Sequence, residues 1–447
     1  PGPSHAVTNL TKPSMMKNTP VVSKQIIFPF ILITSLFALW GFANAVTDPM
    51  VTAFKKVLEL DNFQASLVQM AFYGGYFTMA LPAALFIRKY SYKVGILIGL
   101  TLYATGALLF YPAAISESFT FFLLGLYILT FGLAFLETTA NPYILSMGDA
   151  STATQRLNLA QAFNPLGLIG GLVVAQQFVL KNLKSDDVVF SELPELQKAA
   201  ITTADLMVIR DPYVVLGLSV IVVLVLIAVN KMPKGKGEEM HMPLGHVFKS
   251  LIKKPVYVEG VITQAFYVGA QIMCWTYIYQ YAEAIGLSAE EAGNYQFIAF
   301  VCFFLGRFVC TFLLKYVDSG KLLMGLSVLA VAFTLGTIFI TGMSGLYCLV
   351  AISFCMSLMF PTIYGVALEG LSEDESKIGA AGLVMAIVGG ALMPTFQGMI
   401  LDLGGSGYSD IQILGVSEVN FSFILPFVCF LIIAFYGRRV AVKHQRS

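Results

Sequence analysis

The chain has 447 residues, 57% of them apolar and 12% charged, with 27 basic against 26 acidic side chains and a net charge of +1. Soluble domains carry roughly a quarter charged residues, so this composition excludes a water-exposed globule and indicates a helix-rich integral membrane protein. The near-neutral balance by itself says nothing about nucleic acid or acidic partners, and no nucleic-acid partner is expected.

Residues 1–24 are expected to be a disordered tail. The opening "PGPSHAVTNLTKPSM" is polar, lacks an apolar signal core, and reads as a remnant or tail ahead of a native start near Met15 or Met16. A bilayer core of about 30 Å takes about 20 apolar residues per helix. Twelve segments meet that length, at approximately 25–47, 63–87, 94–114, 119–145, 157–180, 213–231, 256–282, 293–314, 322–341, 345–368, 378–401 and 420–437. Two connections are long. Residues 181–211 predict a loop with a short helix at 192–204, and the basic, Gly/Pro-bearing stretch 232–255 predicts a linker. The expected organisation is therefore a six-helix half over 25–231, the linker 232–255, a second six-helix half over 256–437 and a tail over 438–447.

Charge sets the orientation. Lys17, Lys24, "RKYSYK" (88–93), Arg156, the linker, Lys315, Lys321, Lys377 and "GRRVAVKHQR" (437–446) fall on one side. The other side holds Lys55, Lys56, Lys181, Lys184, Lys198 and Arg210, an asymmetry of roughly three to one that puts both termini, the linker and the tail in the cytoplasm. The halves also read as a repeat. Trp40 and Trp275, the two tryptophans of the chain, sit in helices one and seven, and "NPLGLIGGLV" in helix five echoes "LVMAIVGGALM" in helix eleven. Two parallel six-helix halves match the major facilitator architecture, an all-α membrane fold with its site at the midplane between them.

Ionisable groups inside a span indicate function. Asp48, Glu137 and Arg307 lie there away from the ends, with Arg307, in "FFLGRF", placed towards the cytoplasmic end as a gating or structural residue. Around the acids run polar and aromatic stripes: Trp40, Asn44 and Asp48 at i, i+4, i+8; Glu137 and Asn141 at i, i+4; Gln161 and Asn164 at i, i+3, extended by Asn158; and Gln264, Gln271 and Trp275 on helix seven. Amides and a carboxylate match hydroxyls that both donate and accept, and aromatic rings stack on sugar C–H faces. No basic cluster accompanies them, which argues against phosphates and dicarboxylates. The alternatives are helix-to-helix glue for the amides and plain packing for the tryptophans. A neutral carboxylic acid is far cheaper to desolvate than a carboxylate, so an acid ionised in a wet cavity and protonated when occluded carries protons. The six cysteines, all within apolar runs, read as small core residues. No His pair, serine triad or metal-spaced cluster suggests an enzyme, and His241 and His246 lie in the linker.

The segments "SLFALWGFANAVTD", "NFQASLVQMAFYGGYF", "LETTANPY", "RLNLAQAFNPLG", "YVGAQIMCWTYIYQYA" and "FVCFFLGRF" resemble the L-fucose:proton symporter family of the major facilitator superfamily, over residues 25 to 435. The resemblance implies proton coupling at Asp48 and Glu137. It implies sugar binding at Glu137, Asn141, Gln161 and Asn164, beside Asn44, Gln264, Gln271, Trp40 and Trp275 from the residue reading. It also implies a bacterial inner-membrane monomer with no cofactor beyond the proton. Departures occur at Ala45, Gly74 and "FPTIY" (360–364), where a fucose carrier reads "YPTIF". Another hexose (glucose, galactose, mannose or N-acetylglucosamine), a multidrug proton antiporter and a non-transporting sugar receptor remain as rival readings.

Overall fold

The computed structural model describes residues 19–60, 62–235, 242–405 and 408–446. The first half comprises α1 (Ile27–Val57), α2 (Asn62–Lys89), α3 (Tyr92–Leu108) continued by α4 (Phe110–Ser116), α5 (Phe119–Ser146), α6 (Ala153–Gln161) continued by α7 (Asn164–Val174), and α8 (Glu195–Val229). A short amphipathic helix, α9 (Leu244–Ile252), follows. The second half runs through α10 (Pro255–Thr276) with α11 (Ile278–Ala284), α12 (Ala289–Leu313), α13 (Ser319–Phe339), and α14 (Met343–Met356) with α15 (Met359–Ala367). It ends with α16 (Glu373–Met385) and α17 (Gly389–Leu401), then α18 (Glu418–Ser422) and α19 (Ile424–Arg446). A small hairpin, β1 (Gln412–Ile413) and β2 (Val416–Ser417), precedes α18.

The twelve expected segments are all helical, making two six-helix halves of a multi-pass membrane protein. Among the described residues, ten helices are long and apolar enough to cross a membrane.

Prolines place several of the breaks. A proline cannot donate to the carbonyl four residues back and its ring clashes there. Pro112, Pro165 and Pro426 stand four residues after Leu108, Gln161 and Ser422, the last residues of α3, α6 and α18. One expectation fails on the same chemistry. Residues 183–194 form short turns and loop, but the short helix expected at 192–204 is instead the start of α8, which runs unbroken from Glu195 through Pro212. Membrane helices tolerate an internal proline when neighbours meet the freed groups.

The two halves pack alike. α1 lies along α7 as α10 lies along α17, and α3 meets α8 as α13 meets α19. Glycines allow the first two contacts. A Cβ on Gly167 would stand 1.8 Å from the Ala38 carbonyl oxygen, and one on Gly389 would stand 2.1 Å from that of Ala265. Small residues are how membrane helices approach closely.

The halves meet most tightly at the end that carries the linker. Arg88 Nε donates to Asp374 Oδ1 at 2.7 Å, the Tyr92 hydroxyl to Glu373 Oε2 at 2.6 Å, and the Met242 amide to Asp374 Oδ2 at 2.9 Å. The acids begin α16, where Ser372 and Glu375 form a capping box and the helix dipole favours negative charge. Farther in, Asn158 Nδ2 donates to Thr362 Oγ1 at 3.1 Å and Gln155 Nε2 to the Thr311 carbonyl at 3.1 Å. Arg156, fully buried, caps α5 by donating to the carbonyls of Ile144 and Leu145 at 2.8 and 2.6 Å.

Candidate functional site

Between the halves lies a cavity of about 910 Å³. Its deep end is lined by Phe37, Glu137, Gln161, Arg307 and Phe360, and its walls climb to Leu180, Tyr279, Gln296 and Thr395 near the far ends of their helices. It therefore opens away from the linker, whose end is shut by the contacts above.

Glu137 sits at the floor, 2% exposed, and its Oε2 has no hydrogen-bond partner. The neighbouring groups arrive from both halves. The Tyr76 and Tyr364 rings, both buried, lie within its electrostatic reach, from α2 and α15 respectively. The Tyr76 oxygen accepts the Trp40 indole N–H at 2.7 Å, and Trp40 stacks on Phe37 with centroids 5.7 Å apart. Tyr76 and Tyr364 escaped the sequence reading because a tyrosine in an apolar helix signals nothing by its spacing.

Of the expected site residues, Trp40, Asn44, Glu137, Gln161, Asn164, Gln271 and Trp275 line the cavity. Asn44 Oδ1 is buried without a partner. Asn164 Nδ2 donates to the Phe37 carbonyl at 3.2 Å, which leaves its oxygen for a ligand. Asn141 and Gln264 lie behind the wall, both fully buried. Asn141 accepts from Gln161 Nε2 at 2.7 Å and donates to the Glu137 carbonyl at 3.0 Å. Gln264 donates to the Phe360 carbonyl at 3.2 Å. The Asp48 side chain lies outside the described residues.

Arg307 stands on the cavity wall, 3% exposed, six residues before the end of α12 at Leu313. Its Nη1 donates to the Gln161 carbonyl at 3.0 Å, its guanidinium lies 4.8 Å from the Phe303 ring centroid, and its Nε has no partner. The Gln161 carbonyl is the one that Pro165 leaves without an intrahelical donor. A break in one half thus provides the acceptor for a cation of the other. In principle the break was legible from "NPLG"; the partner was not.

Both walls mix polar and aromatic groups: the first half contributes Glu137, Asn44, Gln161 and Asn164 with Phe37, Trp40 and Tyr76, and the second contributes Gln271 and Arg307 with Trp275, Phe300, Phe303 and Phe360. Trp275 Nε1 donates to Ser353 Oγ at 3.1 Å, and its ring packs edge-on against Phe300 and Phe303. Amides and aromatic rings side by side can hold a ring that offers both hydroxyls and C–H faces. The six cysteines are free thiols.

A model of the Major Facilitator Superfamily matches residues 30–394. The L-fucose-proton symporter of Haemophilus influenzae is 57% identical over 94% of this chain and 98% of its own. The Escherichia coli protein of that name is 36% identical over 93% and 94%. The crystal structure of the transporter FucP in the outward conformation superposes with a TM-score of 0.84 at 35% identity, covering 93% of this chain and 99% of that one. The chain belongs to the Major Facilitator Superfamily and, within it, to the family of L-fucose-proton symporters.

Proposed function

We propose that this protein imports L-fucose with protons across the bacterial inner membrane. It works as a monomer by alternating access, with the linker, both termini and the closed end of the bundle in the cytoplasm. It is a transporter and not an enzyme. One observation carries the reading: a desolvated carboxylate with an unpaired oxygen, Glu137, forms the floor of a cavity between the halves. The 57% identity to a symporter of that sugar supports the choice of substrate.

In this reading the residues divide the labour. Glu137 binds a sugar hydroxyl and takes up a proton, because only the neutral acid can be sealed from water at small cost. Gln161, Asn164, Asn44 and Gln271 contact hydroxyls. Asn141 positions Gln161, and Gln264 braces Phe360. Trp40 and Trp275 flank the ring. Asp48, one helical face along from Asn44, relays protons. The membrane potential contributes about 2.3 kcal/mol per charge per 100 mV to inward proton movement. Closure around the sugar and rocking of the halves then opens the cytoplasmic side.

The test is uptake of labelled sugars into proteoliposomes under an imposed proton gradient. L-fucose should accumulate above its external concentration. Accumulation of another hexose instead would reassign the substrate, and sugar binding without accumulation would indicate a receptor. Glu137→Ala should abolish binding at the Glu137 position and with it accumulation, while Asp48→Asn should lose accumulation and keep sugar exchange. Unchanged gradient-driven uptake by the Asp48→Asn variant would remove Asp48 from the mechanism.

A further inference from the structure

The cavity has two polar and aromatic tiers, and the proposed site occupies only the lower one. The upper tier is built from Gln176, Tyr279 and Gln296, with the Phe300 ring and the Trp275 ring that it shares with the lower tier. It is already organised. The Tyr279 hydroxyl donates to Gln296 Oε1 at 2.7 Å, and Gln296 Nε2 donates to the Trp275 carbonyl at 3.2 Å. That carbonyl comes free at the break between α10 and α11, so Gln296 is fixed by the break it caps. Gln176 reaches the cavity from the opposite half, on a π-helical turn over Ala175–Val179. Such turns widen a helix and re-aim its side chains, often at functional sites.

Distance separates the tiers. Gln296 and Arg307 lie on the same helix, α12, eleven residues apart, which is about 16 Å at 1.5 Å per residue. A pyranose with its hydroxyls spans four or five bonds, roughly 6–7 Å. The rise between Gln296 and Arg307 is more than twice the span of one pyranose. The volume agrees, since about 300–1,000 Å³ already accommodates drug-sized ligands larger than one monosaccharide.

We infer that the upper tier is a second binding position for a neutral monosaccharide, an entry site that holds the incoming sugar before it drops to Glu137. The upper tier supplies two amides, a phenol and aromatic faces, with no charged group among them. That chemistry suits hydroxyls and excludes anions. The site is coupled to the first only by passage, and it takes its sugar from the side away from the linker. The inference rests on the sugar-symport reading above.

Equilibrium binding of labelled L-fucose to the purified full chain tests it. The wild type should bind two equivalents, one weak, and Glu137→Ala should keep the weak one. Gln176→Ala is the cleaner probe of the upper tier, because Gln296 also caps a helix. This variant should lower uptake at sub-saturating sugar about fivefold, the factor expected for one lost hydrogen bond, while the maximal rate stays unchanged. A single equivalent that Glu137→Ala abolishes, or unchanged low-concentration uptake by the Gln176→Ala variant, would overturn the entry site and leave the symport reading intact. Failure of the wild type to bind any equivalent of L-fucose would overturn both.

Discussion

Glu137 is held by neighbours that each have another task. Trp40 donates its indole N–H to Tyr76 at 2.7 Å, which occupies one lone pair and aims the phenol's own proton elsewhere. Removing that hydroxyl strands a buried indole donor, since Trp40 is only 6% exposed. Tyr76→Phe should therefore cost about 1–3 kcal/mol of stability, read as a lower melting temperature in detergent. It should also weaken sugar affinity, read by direct binding. Glu137→Gln makes a sharper distinction than the alanine variant. The amide keeps the shape and can still hydrogen-bond a hydroxyl, but it carries no proton. Sugar exchange down its gradient should persist, and the steady-state ratio of internal to external sugar should fall to unity under an imposed proton gradient.

At the level of elements, breaks and close contacts govern the behaviour of the helices. Pro165 ends α6 and leaves the Gln161 carbonyl to Arg307 at 3.0 Å. Pro165→Ala restores an N–H that competes for that carbonyl. Losing a charge-assisted hydrogen bond between the halves is worth about 1.5–3 kcal/mol. The Pro165→Ala and Arg307→Ala variants should then be non-additive in a double-mutant cycle of sugar affinity, because both remove the same contact. Additive effects would show that Pro165 acts elsewhere. The glycine contacts work by exclusion. Gly167→Val places atoms where the Ala38 carbonyl already stands, so α1 and α7 must separate. Overpacking of this kind costs about 1–3 kcal/mol, and the melting temperature should drop while variants at the open Gly325 leave it unchanged.

The whole molecule is set by the contacts between its halves. The face bearing the linker is closed by Arg88 with Asp374 and by Tyr92 with Glu373, and the opposite face holds the cavity mouth. Asp374 is 5% exposed, so this pair is only partly screened by solvent. Arg88→Gln removes this ion pair between the halves and destabilises the closed arrangement of that face. A cysteine introduced at Ala391, on the cavity wall, reports the balance. Its labelling by a membrane-impermeant maleimide should slow about tenfold in the Arg88→Gln background, the factor for roughly 1.4 kcal/mol. An unchanged rate would place the lock elsewhere along the interface.

Hydropathy and charge by themselves determined that this chain spans the membrane with twelve helices in two halves, because lipid demands about 20 apolar residues per crossing wherever the chain later packs. Stripes at i and i+4 picked out Asn44, Glu137, Gln161, Asn164 and Gln271 on the cavity wall, because helical period is a local property. Sequence spacing did not separate Asn141 and Gln264, which share those stripes but donate to the Glu137 and Phe360 carbonyls. It also missed Tyr76 and Tyr364, whose settings depend on partners from other helices. Only the tertiary structure decided which polar groups face water and which face one another. That choice is made where helices meet, by the need to pair every buried donor and acceptor.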